Sequence, residues 1–303
     1  KTKILIFGGS GFIGYHLTKK CVKKGWSVTS ISKHILKKEK IVKKAFYSIK
    51  NLENFRNFKN ISKDYDFVVN ASGYINNNDN LTYKNHNFKI VKNIIRHFRN
   101  TNIKAFLNIG TSAEYGGMFS PQNEKVKTLP KSKYGKDKLK CTKLLINSFK
   151  TISFPAIVFR TYQVYGPLQE TNRLIPIAAN SCYLNKKFDC SDGSQIRDYI
   201  YIDDLTEAIV KALNNKLAIG QIFNIGSGYG VSLKQIIDST KKFFKKGRPL
   251  FGKIKSRKDE NKEIIADISK IKRILKWKPK VKFKLGLRRT LKYYKKKYET
   301  IDN

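Results

Sequence analysis

The chain has 303 residues, and its 40% hydrophobic and 12% aromatic content predicts a large packed core and excludes a disordered protein. No apolar run approaches the ~18 residues of a membrane span, so we expect no membrane insertion. The four cysteines lack the spacing of a zinc site or a disulfide framework, so we expect no metal and a reducing, cytoplasmic location.

The charge of the chain is strongly basic, with 63 Lys and Arg residues against 22 Asp and Glu, a net charge of +41. Two interpretations follow: a nucleic-acid-binding protein, or an enzyme with lysine-rich solvated faces whose positive field attracts small polyanions. The densest segments, 33–44 and 270–297, do not interleave stacking aromatics in the pattern of a known nucleic-acid module. We therefore expect nucleic acid to bind only non-specifically.

The chain opens with a strand, a glycine-rich turn and a helix. An apolar run over Lys3–Phe7 predicts a buried strand, and apolar residues at helical spacing predict a helix over 13–24. The motif GGSGFIG lies between them and matches the dinucleotide fingerprint, in which glycines bring backbone N–H groups to a diphosphate at the helix N-terminus. We predict that this turn binds a nucleotide through Gly8, Gly11, Phe12, Ile13 and Gly14.

Strands and helices alternate through the first half of the chain. Further strands are predicted at 27–32, 44–49, 66–71, 105–109 and 156–159, with helices at 87–100 and 134–149. This alternation predicts an α/β fold with a doubly wound parallel (Rossmann) sheet. We place an NAD(P)-binding Rossmann domain at 1–165 and a smaller C-terminal α/β substrate lobe at 166–303, partly interleaved with the first.

The end of the second strand bears on the choice of coenzyme. An acidic residue there would bind the ribose 2′-hydroxyl, but this chain has Ser32 and Lys33. A hydroxyl and an ammonium group can hold a 2′-phosphate, so the sequence favours NADP(H), with NAD(H) as the alternative. The competing interpretation is that Lys33 is one more surface lysine.

Two further motifs contain side chains suited to hydrogen bonding and proton transfer. NIGTSAEYG (108–116) ends the fifth strand, and SKYGKDK (132–138) opens a helix that presents Tyr134 and Lys138 on one face. Tyrosine has an ordinary pKa of ~10, so a neighbouring ammonium is needed to stabilise its phenolate, and Lys138 would supply it. Thr111 would polarise a substrate oxygen by hydrogen bonding, or would instead cap the end of its own strand.

With GGSGFIG, these motifs resemble the extended short-chain dehydrogenase/reductase family, in its nucleotide-sugar branch of NAD-dependent epimerases and dehydratases. The stretches RTYQVYGP (160–167), RLIP (173–176), RDY (197–199) and FNIGSG (223–228) follow in the order of that family. The resemblance implies catalysis by Thr111, Tyr134 and Lys138. It also implies that Ala71, Ser72, Asn87, Tyr134 and Lys138 contact the coenzyme.

The same resemblance implies a nucleotide-diphosphate sugar as substrate, bound by Gln163, Arg173, Arg197 and Arg257. Guanidinium groups pair bidentately with phosphate oxygens, so Arg197 and Arg257 would clamp the diphosphate. Salt bridges of these arginines with Asp198 or Asp203 are the alternative. Gln163 stands where the family usually has Asn.

Three reactions are compatible with this branch of the family. Dehydratases resemble one another in placing Asp-Glu directly after the catalytic Thr, where this chain has Ser112 and Ala113, so we set elimination aside. Ser32 and Lys33 suit NADPH, and the leading hypothesis is reduction of a 4-keto-6-deoxy-sugar nucleotide with Tyr134 as proton donor, similar to the CDP-abequose and CDP-paratose synthases. The alternatives are a nucleotide-sugar 4-epimerase and, in another class, a basic nucleic-acid-binding protein on a retained reductase fold.

The resemblance also implies a homodimer. The predicted helices at 87–100 and 134–149 resemble the pair that forms a four-helix interface in this family. Its apolar contacts would come from Phe88, Val91, Ile95, Leu144 and Phe149. Alternatively, the helices bury those faces within their own subunit.

Overall fold

The computed structural model describes residues 1–34, 38–73, 85–255 and 261–302. The strands in these residues are β1 (Lys3–Phe7), β2 (Ser27–Ser32), β3 (Ala45–Ile49), β4 (Phe67–Asn70), β5 (Ala105–Thr111), β6 (Ala156–Thr161), β7 (Gln163–Tyr165), β8 (Lys187–Asp189), β9 (Ile196–Tyr201), β10 (Ile222–Ile225), β11 (Gly230–Ser232), β12 (Arg248–Leu250) and β13 (Glu263–Ile264). The α-helices are α1 (Phe12–Lys23), α2 (His86–Phe98), α3 (Lys133–Ile152), α4 (Leu174–Tyr183), α5 (Ile202–Leu213), α6 (Leu233–Phe244), α7 (Ser269–Leu275) and α8 (Phe283–Asp302).

A seven-stranded parallel sheet forms the centre of the fold, in the order β10-β6-β5-β4-β1-β2-β3. The order reverses at β1, and the helices that connect the strands cover the two faces of the sheet. The predicted doubly wound α/β fold is therefore confirmed. The predicted strand at 27–32 coincides with β2, and α1 begins one residue earlier than predicted.

The central strands are apolar on both faces because helices cover both. Ile4 and Ile6 point into one apolar cluster, and Leu5 and Phe7 point into the other. All four side chains are fully buried. This alternation follows from the two-residue repeat of a strand.

The second half of the chain contributes to more than one sheet. Strand β10 joins the central sheet beside β6, a seventh strand that the sequence interpretation did not include. Strands β11, β9 and β13 form a separate sheet, and β7 pairs with β9. The domain boundary between residues 165 and 166 stays a prediction.

Three negative findings apply to the described ranges. No helix there is both long and apolar enough to cross a lipid bilayer. No three His, Cys, Asp or Glu side chains lie together there in a group that could hold a metal ion. Cys21, Cys141, Cys182 and Cys190 are all buried and form no disulfide.

Candidate active site

The glycine-rich turn packs closely against its neighbours at the carboxyl end of β1. Gly8 has a φ of 82°, and its amide donates to the Ile31 carbonyl oxygen at 2.7 Å. A Cβ atom at Gly8 would lie 2.6 Å from the Ser72 amide nitrogen, and one at Gly14 would lie 2.1 Å from the Gly8 carbonyl oxygen. Side chains at these two positions would therefore push the turn away from β4 and the helix away from the turn.

Helix α1 begins directly after this turn. Gly11 is its N-cap residue, makes no side-chain cap, and is followed by a first turn without an acidic residue. The partial positive charge of the helix N-terminus is therefore not neutralised by its own side chains. This end of α1, with Phe12 and Ile13 in its first turn, fits the diphosphate of a dinucleotide.

The segment after β4 lies beside the turn and is held by two buried amides. Asn70 Oδ1 accepts hydrogen bonds from the Ser72 amide at 3.2 Å and the Ser72 hydroxyl at 2.5 Å. Asn70 Nδ2 donates to Asn108 Oδ1 at 2.8 Å. Asn70, itself held by Asn108, therefore fixes the segment that contains Ala71 and Ser72. The sequence interpretation missed both asparagines, although each is the second-last residue of a predicted strand.

Asn87 and Lys138 meet at this segment. A Cβ atom at Gly73 would lie 3.8 Å from both Asn87 Oδ1 and Lys138 Nζ. The Asp137 carboxylate accepts hydrogen bonds from the amides of Asn87 at 3.1 Å and Phe88 at 3.3 Å. Asp137 therefore caps the start of α2 from within α3, and fixes the position of Asn87 relative to Lys138.

The candidate catalytic residues come from β5 and α3. The Ser132 hydroxyl accepts from the Gly135 amide at 3.0 Å and starts α3, which places Tyr134 in the first turn and Lys138 one turn later. Lys138 is 4% exposed, and its ammonium donates to the Ile109 carbonyl oxygen at 2.6 Å. This bond joins Lys138 to β5 two residues before Thr111.

The first turn of α3 also packs on the segment after β5. A Cβ atom at Gly135 would lie 2.7 Å from the Ala113 carbonyl oxygen. The Thr111 hydroxyl oxygen accepts from the Ala113 amide at 3.2 Å, so the capping interpretation describes one of its contacts. The same hydroxyl still carries a proton that it can donate to a substrate oxygen. The start of α3, which carries Tyr134 and Lys138, therefore packs on the end of β5, which carries Thr111. The catalytic roles of these three residues stay a prediction.

Glu114 forms a buried ion pair beneath these residues, which the sequence interpretation missed. Its Oε1 atom accepts from the Thr111 amide at 3.2 Å, and its Oε2 atom accepts from Thr142 Oγ1 at 2.8 Å and Arg160 Nε at 2.9 Å. Burial raises the pKa of the Glu114 carboxyl, and the Arg160 guanidinium opposes that effect. Glu114 therefore ties the end of β5 to α3 and β6.

The coenzyme residues predicted at the end of β2 already have partners. Ser32 is 4% exposed, and its Oγ atom accepts from the Ser10 amide at 3.1 Å. Lys33 Nζ lies 3.3 Å from Glu53 Oε1, and Glu53 Oε2 lies 2.5 Å from His86 Nδ1. Lys33 is therefore paired with the carboxylate of Glu53. The sequence interpretation did not place a carboxylate at this end of the sheet.

The residues predicted to bind substrate lie in the second half of the chain. Arg197 in β9 is 8% exposed, and its Nη1 atom donates to the carbonyl oxygens of Ile196 at 2.8 Å and Lys262 at 3.2 Å. Gln163 in β7 pairs with the β9 position two residues after Arg197. Arg173 directly precedes α4, and Arg257 lies outside the described residues.

Asp198 has a structural role beside Arg197. Its carboxylate accepts from the amide and hydroxyl of Ser227 at 2.6 and 2.7 Å, from the Gly228 amide at 2.9 Å and from the Ala266 amide at 3.2 Å. Burial raises the pKa of the Asp198 carboxyl, and these hydrogen bonds oppose that effect. Asp198 thus joins β9 to the turn after β10 and to the segment after β13.

The face predicted to form a dimer is only partly apolar. Val91 is 1% exposed and Ile95 is 7% exposed, so both are buried within their own subunit. Phe88 and Leu144 are half-buried against the core. The outer surfaces of α2 and α3 expose Lys89, Lys92, Arg96, Lys136, Lys140 and Lys143. The homodimer stays a prediction, and its interface would have to accommodate these cations.

Comparison with known proteins agrees with this arrangement. The model of the NAD dependent epimerase/dehydratase family matches residues 4–226. UDP-glucuronate 4-epimerase from Thermodesulfobacterium geofontis is 27% identical, with 98% of this chain and 97% of that protein covered. dTDP-glucose 4,6-dehydratase from Haemophilus influenzae is 27% identical, with 62% and 60% covered. The structure of UDP-glucuronic acid 4-epimerase from Bacillus cereus, in complex with UDP-glucuronic acid and NAD, superposes with a TM-score of 0.88 at 27% identity, with 98% of this chain and 100% of that chain covered.

Proposed function

Since this chain belongs to the NAD dependent epimerase/dehydratase family, we propose that it is a nucleotide-sugar 4-epimerase. The observation that supports the proposal is the packing of the start of α3 on the carboxyl end of β5, through the bond of Lys138 to Ile109 and the close approach of Gly135 to Ala113. Ser112 and Ala113 supply no acid or base for elimination. The neighbouring carboxylate, Glu114, is fully buried in its ion pair with Arg160 and supplies none either.

The residues of the chain handle the proton in the proposed reaction. Tyr134, as a phenolate stabilised by the Lys138 ammonium, takes the proton from the sugar C4 hydroxyl and later returns it to the same oxygen. Thr111 donates a hydrogen bond to that oxygen and stabilises its negative charge. The glycine turn and the N-terminus of α1 would hold a nicotinamide dinucleotide, which would supply reversible hydride transfer at C4 of the sugar. Protons and electrons then balance without net oxidation.

We propose that the substrate is a nucleoside-diphosphate sugar held by the second half of the chain. The backbone carbonyls of Ile196 and Lys262 orient the Arg197 guanidinium through Nη1. A guanidinium group in a fixed position is suited to pair with a diphosphate. Gln163, Arg173 and Arg257 complete the proposed set. A relative with UDP-glucuronic acid bound supports this class of substrate.

The second candidate is reduction of a 4-keto-6-deoxy-sugar nucleotide by NADPH. The observation that favours it is the end of β2, where Ser32 and Lys33 stand in place of an acidic residue. Tyr134 would then protonate the C4 oxygen once, and the coenzyme would be consumed. The pairing of Lys33 with Glu53 weakens the argument for a 2′-phosphate, so we place the 4-epimerase and NAD(H) first.

One experiment separates the two candidates. Purified protein is incubated with UDP-glucose, UDP-glucuronic acid or UDP-N-acetylglucosamine and catalytic NAD⁺, and the products are identified by NMR. In parallel, CDP- and dTDP-linked 4-keto-6-deoxy sugars are tested for NADPH oxidation at 340 nm. A 4-epimer without net change in coenzyme supports the epimerase. Stoichiometric NADPH oxidation with no epimer would replace it with the reductase.

A further inference from the structure

Glu53 is held in place by several elements and is not a mobile surface residue. Strands β2 and β3 run parallel with Ser32 opposite Ile49, so their carboxyl ends meet. The chain then turns, because Asn51 Oδ1 accepts from the Glu53 amide at 3.1 Å. Asn93 of α2 donates through Nδ2 to the carbonyl oxygens of Leu52 at 3.0 Å and Glu53 at 3.1 Å. These bonds direct the Glu53 side chain to the end of β2.

The Glu53 carboxylate lies between two basic groups there. Its two oxygens contact Lys33 Nζ at 3.3 Å and His86 Nδ1 at 2.5 Å. Burial disfavours the charged form of Glu53, but the hydrogen bonds to His86 and Lys33 outweigh it and lower the pKa of the carboxyl. The side chain of Glu53 is 22% exposed and that of Lys33 is 51% exposed, so a ligand at the end of β2 can reach both groups.

We infer that Glu53 selects the coenzyme of this protein, in favour of NAD(H), by neutralising Lys33 and presenting a carboxylate at the end of β2. This inference rests on the proposed dinucleotide site. A ribose 2′-hydroxyl can donate a hydrogen bond to a carboxylate, as it does to the acidic residue that ends β2 in many dinucleotide folds. A 2′-phosphate would have to displace Glu53 from Lys33 and would be repelled by it. The loop after β3 thus supplies a group that β2 lacks.

The decisive variant is Glu53→Gln, which keeps the size and hydrogen-bonding capacity of the side chain and removes its charge. Asp64→Asn is the matched control, because Asp64 forms an ion pair with Lys3 at the opposite, amino end of the sheet. Each variant raises the net charge of the chain by one. Dissociation constants for NADH and NADPH are measured by fluorescence titration, and those of 5′-AMP and 2′,5′-ADP by calorimetry.

We expect Glu53→Gln to tighten NADPH binding by about three- to tenfold, since releasing Lys33 adds one charge-assisted bond to phosphate and removes a repulsion. The affinity for NADH should change by less than about twofold, because the amide oxygen of the new Gln side chain can still accept a hydrogen bond from the ribose 2′-hydroxyl. The 2′,5′-ADP and 5′-AMP constants should move in the same ratio. Adding Lys33→Gln to Glu53→Gln should abolish the gain, and Asp64→Asn should show none.

The outcomes distinguish this inference from the proposed function. If wild type binds NADH or NADPH and Glu53→Gln leaves the ratio of their constants unchanged, the inference is wrong and the coenzyme site stands. If Glu53→Gln weakens both coenzymes equally, Glu53 only supports the loop, and the inference is also wrong. If wild type, Glu53→Gln and Asp64→Asn all bind neither dinucleotide, the proposed function itself fails.

Discussion

Replacing Arg160 with methionine tests the buried ion pair beneath the candidate active site. Methionine keeps much of the length of the side chain and removes its charge. Glu114 has no exposed surface and Arg160 is 3% exposed, so the Glu114 carboxylate would remain buried without its cation. We expect Arg160→Met to lower the free energy of unfolding more than most single substitutions do, because an unpaired buried charge is costly.

The contacts of Arg160 set the magnitude. Its 2.9 Å bond to Glu114 joins two charged groups, and such a bond contributes about 1.5–3 kcal/mol. Its guanidinium lies 4.6 Å from the centre of the Tyr115 ring, a cation–π contact of about 0.5–2 kcal/mol. The expected loss is therefore about 2–5 kcal/mol, which overlaps the 3–5 kcal/mol measured when one partner of a buried ion pair is removed. Native proteins are stable by only about 5–15 kcal/mol, so the change is large.

Urea unfolding followed by circular dichroism measures this loss, with Glu114→Gln and the double variant Glu114→Gln/Arg160→Met completing a double-mutant cycle. The double variant should be more stable than Arg160→Met alone, because a buried neutral amide costs less than a buried unpaired carboxylate. A loss below about 1 kcal/mol in Arg160→Met, typical of an exposed ion pair, would refute the reasoning. So would a double variant whose loss equals the sum of the single losses.

Four further predictions concern catalysis, substrate, assembly and charge. Tyr134→Phe should reduce turnover by roughly a hundredfold or more with coenzyme binding retained. Tyr183 also lies four residues before a lysine, Lys187, so Tyr183→Phe is the control and should leave turnover unchanged. Equal turnover in the two variants would contradict the assignment of Tyr134. Arg197→Ala should raise the substrate KM by about tenfold or more in steady-state assays, while charge reversal of two lysines within 292–297 should change it little. Light scattering should detect a dimer of twice the 35.0 kDa chain mass. The dimer fraction should rise with salt concentration, because salt screens the repulsion between the lysines of α2 and α3. A monomer at every salt concentration would count against the dimer. Gel shifts at physiological salt should show only weak, sequence-independent binding of nucleic acid, and tight selective binding would favour the nucleic-acid hypothesis.

Local features of this protein could be read from its sequence. The strand β1, the glycine turn and α1 follow one another within the first 24 residues, and their conformations depend on neighbouring residues. Tyr134 and Lys138 lie one turn apart on one helix, so their shared face follows from spacing alone. Thr111 follows a predicted strand, and the carboxyl ends of parallel strands meet at one edge of the sheet. These local features carry the motifs through which the chain resembles its family, and that resemblance implies the candidate catalytic residues.

Only the tertiary structure decided which distant groups became partners. Strand β10 is four residues long, and its place beside β6 depends on packing that its own sequence does not specify. Glu53 reaches Lys33 because β3 lies next to β2, and Asp137 caps α2 because α3 lies beside it. Glu114 meets Arg160 across 46 positions of sequence. Spacing along the chain predicts contacts within one helix or strand. These carboxylates instead contact groups that are distant in sequence, because the fold places strands and helices from different parts of the chain side by side.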